Sequence, residues 1–297
     1  MTGAGSYARG LMEGKHGMGL ASGREVLAAA RAGGYAVPAF NVFNLEMLQA
    51  ALGAATAERS PVVVQVSPRT AGYAGLRPIA ALARELAEPL TIPVVLHLDH
   101  GPDLALCREA LDAGFTSVMF DGADLPFAEN VARSREVVAL AHERGASAEA
   151  ELGQVGHVGD DAAVDAFTDP EEAARFVAET GVDALAVSIG TVHGMAETGA
   201  AVDIERVRHL RAAVPVPLVM HGSSGVDDAT LAAAIRAGIT KVNLSTALQK
   251  AFMNALRESA ARPGHETDAR AVLGDARAAV ETAARRRIAV LGSGGKA

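Results

Sequence analysis

Tryptophan is absent from the 297 residues, and tyrosine occurs three times and phenylalanine eight times. With abundant Ala and Gly, so few aromatics fit a soluble globular chain. No stretch of about 18 or more uninterrupted apolar residues occurs, which argues against a membrane-spanning helix. The first residues lack the basic-then-apolar order of a secretion signal. Cysteine is nearly missing too: Cys107 stands alone, so no intrachain disulfide can form. Its place in a helical segment, 103 to 113, points to a buried inert thiol and a reducing, cytoplasmic setting. Positive charge is in deficit, 27 Lys and Arg against 35 Asp and Glu for a net charge of -8. With no basic patch, a phosphate-tracking nucleic-acid surface is not expected, and the charge serves solubility. Lysine is confined to Lys15, Lys241, Lys250 and Lys296.

What is present is 49% hydrophobic and 21% charged, the profile of a soluble globular chain. Residues 1 to 19 contain six glycines and read as a flexible extension. Residues 20 to 290 read as one domain, and 291 to 297 as a tail. Within the domain, β-prone apolar runs alternate with Ala-rich segments of helical period. Eight strands are expected near 36–42, 62–67, 94–99, 117–121, 146–152, 184–189, 218–220 and 241–244. Asn44 and Asp169-Pro170 open helices, and Gly33, Gly114, Gly145, Gly181 and Gly238 stand where left-handed caps close them. Eight such units specify an α/β fold, a (β/α)8 TIM barrel with extra C-terminal helices. A doubly wound sheet would need a glycine-rich turn after its first strand, and Phe40-Asn41-Val42-Phe43-Asn44 has none.

Chemistry in such barrels lies at the C-terminal strand ends. There the sequence places Asn41, Ser67, Asp99 with His100, Asp121, Glu149 with Glu151, His193, His221 with Ser223 and Ser224, and Asn243 with Ser245 and Thr246. A single histidine says little, but His100, His193 and His221 at equivalent strand ends match the open three-ligand arrangement of catalytic zinc. His97 reads as a packed residue or one that supports a ligand. Gly222-Ser223-Ser224-Gly225 after the seventh strand and Asn243 to Thr246 after the eighth form the usual phosphate pocket. Metal, phosphate pocket and a free carboxylate imply an enzyme for a phosphorylated carbonyl compound, with Asp99 moving a proton. A lysine Schiff base is disfavoured, because Lys241 begins its strand.

These residues resemble the class II, zinc-dependent ketose-bisphosphate aldolases, most closely the fructose- and tagatose-bisphosphate branch. The resemblance spans about residues 21 to 290 and rests on seven motifs in order. They are Gly34 to Asn41, His97 to His100, Ser117 to Asp121, Glu149 to Gly153, Gly190 to Gly194, His221 to Gly225 and Lys241 to Asn243. It implies one catalytic zinc on His100, His193 and His221, Asp99 as acid/base at the C4 hydroxyl, and an alternative metal site at Asp121 and Glu151. It further implies dihydroxyacetone phosphate contacts at Gly194, Gly222, Ser223, Ser224, Asn243, Ser245 and Thr246, and substrate contacts at Asn41 and Ser67. A monovalent cation beside the zinc and a homodimer or homotetramer belong to the same expectation. One motif departs: relatives carry a Glu in a mobile loop where this chain reads Gly156-His157-Val158-Gly159-Asp160-Asp161, with Gly159 in its place.

The expected reaction is reversible cleavage of a ketose 1,6-bisphosphate to dihydroxyacetone phosphate and glyceraldehyde 3-phosphate. A related monophosphate, such as 6-phospho-5-dehydro-2-deoxygluconate, and a noncatalytic companion subunit are the alternatives. A zinc hydrolase would want a His-x-His pair on the first strand, where none occurs. Arg69 and Arg285 to Arg287 are candidate anchors for the distal phosphate.

Overall fold

The computed structural model describes residues 19–155, 167–192 and 199–297. Eight parallel strands close in sequence order into a barrel: β1 (Val37–Asn41), β2 (Val62–Val66), β3 (Val94–Gly101), β4 (Ser117–Phe120), β5 (Ser147–Leu152), β6 (Ala184–Val187), β7 (Leu218–Met220) and β8 (Ile239–Leu244). β8 returns to β1 with Val37 opposite Lys241 and Ala39 opposite Asn243. The strands are short and buried on both faces because helices cover them outside and side chains fill them inside.

The helical stretch expected ahead of Gly33 is α1 (Gly23–Gly33), which precedes the first strand. Its buried Val26, Leu27 and Ala30 pack with the inward-facing Val37, Ala39, Val63, Val95, Met119, Ala184, Ala186 and Val219. The helix thus plugs the N-terminal end of the barrel. Gly23 permits the fit, since a Cβ there would lie 2.5 Å from Ser147 Oγ. The left-handed cap of α1 falls on Gly34 (φ 68) rather than Gly33; Gly114, Gly145, Gly181 and Gly238 do take positive φ.

The outer layer comprises α2 (Leu45–Glu58), α3 (Pro68–Ala74), α4 (Leu76–Ala87), α5 (Leu104–Asp112), α6 (Phe127–Glu143), α7 (Pro170–Thr180), α8 (Ile204–Ala213), α9 (Asp228–Ala237), α10 (Thr246–Ala260) and α11 (Ala269–Leu291). Asn44 and Asp169 cap α2 and α7 with side-chain oxygens, as their sequence positions suggest, and Asp103, expected inside its helix, caps α5 in the same way. The extra C-terminal helix α11 buries one stripe, Ala276, Val280, Ala284, Ile288 and Leu291, and packs on α2 and α10. Beyond it, Ser293 Oγ meets Ser60 Oγ at 2.8 Å, and Gly295 N donates to Glu58 O. No described helix is long and apolar enough to cross a membrane.

Candidate active site

Strand parity delivers the polar residues to the barrel interior. On β3 the inward positions run Val95, His97, Asp99, and the alternation breaks at His100, where the register with β4 shifts. His100 has φ 54, a left-handed conformation that a non-glycine residue holds only when its surroundings impose it. The bulge turns His100 toward the cavity without losing Asp99 from it.

Asp99 is held by two amide donors: Asn41 Nδ2 at 2.8 Å and Asn243 Nδ2 at 3.0 Å. Asn41 is set in turn by Gln65, whose Nε2 donates to its Oδ1 at 2.8 Å. Burial opposes the charge on Asp99, but His100, His221 and Lys241 outweigh it and hold the carboxyl down at about 2. The side chain is ionised at neutral pH and able to accept a proton.

His100 Nδ1 lies 2.7 Å from Asp121 Oδ2, and its ring meets that of His221 edge to face at 4.6 Å. Burial disfavours the His100 imidazolium, yet Asp99 and Asp121 hold its pKa above the ordinary value. His221 is fully buried between two carboxylates, Nε2 at 3.2 Å from Glu149 Oε1 and Nδ1 at 3.1 Å from Glu151 Oε2. Burial works against its charge too, but the contacts to Glu149 and Glu151 prevail and hold the imidazole up at about 10.

Beneath lies an ion pair that the sequence reasoning did not include in the site. Lys241 Nζ donates to Glu149 Oε2 at 2.8 Å and approaches His97 Nε2 at 3.5 Å. Burial and the Lys241 charge push His97 down to about 3. His97 is therefore neutral, so Nδ1–H donates to Ser117 Oγ at 2.8 Å and Nε2 is left to accept from lysine. Lys241 is not among the residues that line the cavity, although its head reaches mid-barrel.

Ligating atoms of Asp99, His100 and His221, and of His100, Asp121 and Glu151, each fall within 4.8 Å of one another. Four carboxylates, Asp99, Asp121, Glu149 and Glu151, gather around His100 and His221, and Glu149 also pairs with the buried ammonium of Lys241. That excess of negative charge, with imidazole nitrogens and carboxylate oxygens as donors, fits a divalent ion such as zinc. His193 and Gly194 lie outside the described residues, as does the loop from Gly156 to Asp161. Gly222 (φ 65) packs against Val192, which precedes His193 in sequence; a Cβ on Gly222 would come within 2.8 Å of that backbone.

Above this cluster opens a cavity of about 450 Å³. It is lined by the expected Asn41, Ser67, Asp99, His100, Asp121, Gly222, Ser223, Ser224, Asn243, Ser245 and Thr246. Glu151 and His221 lie buried beneath it. Ser223 Oγ donates to Asn243 O at 2.5 Å, which ties the turn after β7 to the end of β8. At α10, Ser245 does not cap the helix; its Oγ accepts from Gln249 Nε2 at 2.9 Å instead. The first-turn N–H groups of this 15-residue helix thus have no side-chain cap at the cavity wall, an arrangement that receives anions. Arg69, Thr70 and Gln249 also line the cavity. Arg285 and Arg287 do not line it, and they pair with Glu58 and Asp228.

A family model described as fructose-bisphosphate aldolase class-II matches residues 21–296. The chain is 41% identical over 283 residues to the D-tagatose-1,6-bisphosphate aldolase subunit GatY of Klebsiella oxytoca, covering 94% of this chain and 100% of that one. Among solved structures, the YdjI aldolase of Escherichia coli K12 superposes with a TM-score of 0.85 at 36% identity, over 94% of this chain and 99% of its own. A putative fructose-1,6-bisphosphate aldolase of Coccidioides immitis superposes with a TM-score of 0.82 at 31% identity, over 92% and 96%.

Proposed function

The chain belongs to the class II fructose-bisphosphate aldolase family, and from that premise we propose that it reversibly cleaves a ketose 1,6-bisphosphate, fructose or tagatose, to dihydroxyacetone phosphate and glyceraldehyde 3-phosphate. The observation that carries this reading is Asp99, fixed by Asn41 and Asn243 beside His100 in one cavity with the Gly222–Ser224 turn. His100, His193 and His221 would hold zinc, which when bound supplies Lewis-acid polarisation of the ketone carbonyl. The turn after β7 and the start of α10 bind the phosphate of the dihydroxyacetone half through N–H and hydroxyl donors. Asp99 accepts the proton of the C4 hydroxyl as C4 becomes a carbonyl and the C3–C4 bond breaks. The electron pair passes to C3 and is delocalised into the C2 carbonyl. Asn41 and Asn243 keep Asp99 aimed while its charge changes, and Asp121 and Glu149 orient the imidazoles of His100 and His221.

The protein is proposed to be a homodimer or homotetramer, of which the relative's name supports only that it is part of an assembly, and the lone buried thiol supports a cytoplasmic setting. The test is cleavage of fructose and tagatose 1,6-bisphosphates, with proton exchange on dihydroxyacetone phosphate, before and after chelation. Both activities should vanish with chelator and return with zinc. Cleavage of neither sugar, or activity indifferent to chelation, refutes the reading.

A further inference from the structure

Arg69 bears the only guanidinium or ammonium group among the described residues lining the strand-end cavity, where the ionised carboxylates are those of Asp99 and Asp121. It is exposed, and among the described residues no hydrogen bond or ion pair engages it. Its position within the ring of strands gives it a direction. Ser67-Pro68-Arg69 follows β2, next to β3 and Asp99, whereas the Gly222–Ser224 turn and α10 follow β7 and β8, on the far side of β1. If Asp99 handles the C4 hydroxyl, the atoms beyond C4 belong to the aldehyde half and extend away from the phosphate turn. The β2 end is the neighbouring wall on that side. A flexible cation with no carboxylate partner, in an acidic cavity that receives an anionic substrate, is suited to bidentate contact with a phosphate or carboxylate. Of the other arginines considered for this role, Arg285 and Arg287 are already paired away from the cavity, and Arg286 does not line it.

We propose that Arg69 binds the anionic group on the aldehyde half of the substrate and sets the preference for charged over neutral aldehydes. This rests on the aldol reading above. Ser67 and Thr70, joined through their hydroxyls at 3.4 Å, flank the arginine and add hydroxyl donors on the same wall.

The experiment is condensation of dihydroxyacetone phosphate with glyceraldehyde 3-phosphate, succinic semialdehyde and glyceraldehyde, comparing the natural chain with Arg69→Ala, Arg69→Lys and Arg77→Ala. Arg69→Ala should raise KM for the preferred charged aldehyde by about 10- to 100-fold with little change in kcat. The ratio of charged to neutral kcat/KM should fall by the same factor. Arg69→Lys should restore part of the ratio, and Arg77→Ala, on the neighbouring helix α4, should keep it. A fall confined to glyceraldehyde 3-phosphate assigns a phosphate, and one confined to succinic semialdehyde a carboxylate. An unchanged ratio in Arg69→Ala overturns the proposal, as does an equal loss on charged and neutral aldehydes, which marks a merely structural role. If the natural chain neither condenses any aldehyde nor exchanges protons on dihydroxyacetone phosphate, the aldol reading fails first and this proposal with it; condensation with an unchanged ratio defeats this proposal alone.

Discussion

At the N-terminal end of the barrel the inward positions are Val37, Ala39, Val63, Val95, Met119 and Val219, packed on α1. Two residues further along the same strands they become Asn41, Gln65, His97, Asp121 and His221, with Asp99 and Glu149 between them. Apart from the bulge at His100, the backbone and its parity are shared, so the two halves differ chiefly in side-chain chemistry. Apolar burial in the lower half stabilises at roughly 25 cal/mol per Å². The upper half instead buries carboxylates, imidazoles and an ammonium, groups whose desolvation is unfavourable and is offset only while each keeps its partner. Stability therefore resides below and chemistry above, and substitutions in the two halves should separate the two properties.

The largest separation is expected at Asp99. Asp99→Ala removes the proton acceptor and should lower cleavage by about 10²- to 10⁴-fold while zinc content, read by mass spectrometry of the purified protein, stays level. His221→Ala should lower zinc content itself. Cleavage at the natural rate by Asp99→Ala would remove Asp99 from the mechanism.

Next in size is the contrast between Lys241→Met and Met119→Ala. The first leaves Glu149 buried without the ammonium that stands 2.8 Å away, at a cost of about 3–5 kcal/mol. The second opens a cavity in the apolar half, at about 2–5 kcal/mol. Their magnitudes overlap, but rescue tells them apart. Adding Glu149→Gln to Lys241→Met should recover much of the loss in urea unfolding, because the uncompensated charge is gone. Adding it to Met119→Ala should only destabilise further. Equal behaviour of both pairs would mean that the ion pair is no more than volume.

How these halves were legible in the sequence follows from the distances involved. Strand alternation, the Asn44 and Asp169 caps and the glycine punctuation are local, and they carry the barrel. Asp99, His100 and His221 could be read from their place at strand ends. The bulge at His100 could not, because φ 54 on a histidine is imposed by the register shift and no pattern announces it. The Lys241–Glu149 pair joins residues 92 positions apart on β8 and β5, so linear inspection sees only a lysine early in its strand. A helix ahead of Gly33 could be read, but not its role as a plug, because its apolar face, Val26, Leu27 and Ala30, covers a barrel end rather than taking a place in the strand-helix alternation. Arg285 and Arg287 looked available only because Glu58 and Asp228 are remote in sequence.

Acidity sharpens the comparison within the upper half. His97 is neutral in the fold and titrates at about 3, whereas an unfolded histidine titrates near 6.5. Between those values the unfolded chain binds more protons, so this contribution is complete above about pH 6.5 and is lost as pH falls toward 3. His221, held up at about 10, has the opposite sign: its contribution is complete below about pH 6.5 and is lost as pH rises toward 10. Chelator-treated protein should thus lose stability in both directions. His97→Gln should flatten only the acid limb, by about half or more between about pH 6.5 and 4.5, before most carboxylates titrate. An unchanged acid limb in urea midpoints across that range would show that His97 is not the neutral residue its contacts require.

The smallest effect tests a polar position in the lower half that lies against α1. Ser147 Oγ is buried without a hydrogen-bond partner in the described structure, and a Cβ on Gly23 would come within 2.5 Å of it. An unsatisfied buried hydroxyl is destabilising relative to a methyl group of similar shape. Ser147→Ala should therefore leave stability unchanged or raise it by up to about 1 kcal/mol, unlike polar-to-apolar changes at Gln65 or Asn243, whose donors engage Asn41 and Asp99. It should also soften the cost of Gly23→Ala, about 1–3 kcal/mol alone, by removing the atom that the new methyl would strike. A loss of more than about 1 kcal/mol in Ser147→Ala would mean that the hydroxyl is satisfied, and that polar bonding reaches down to the plug of the barrel.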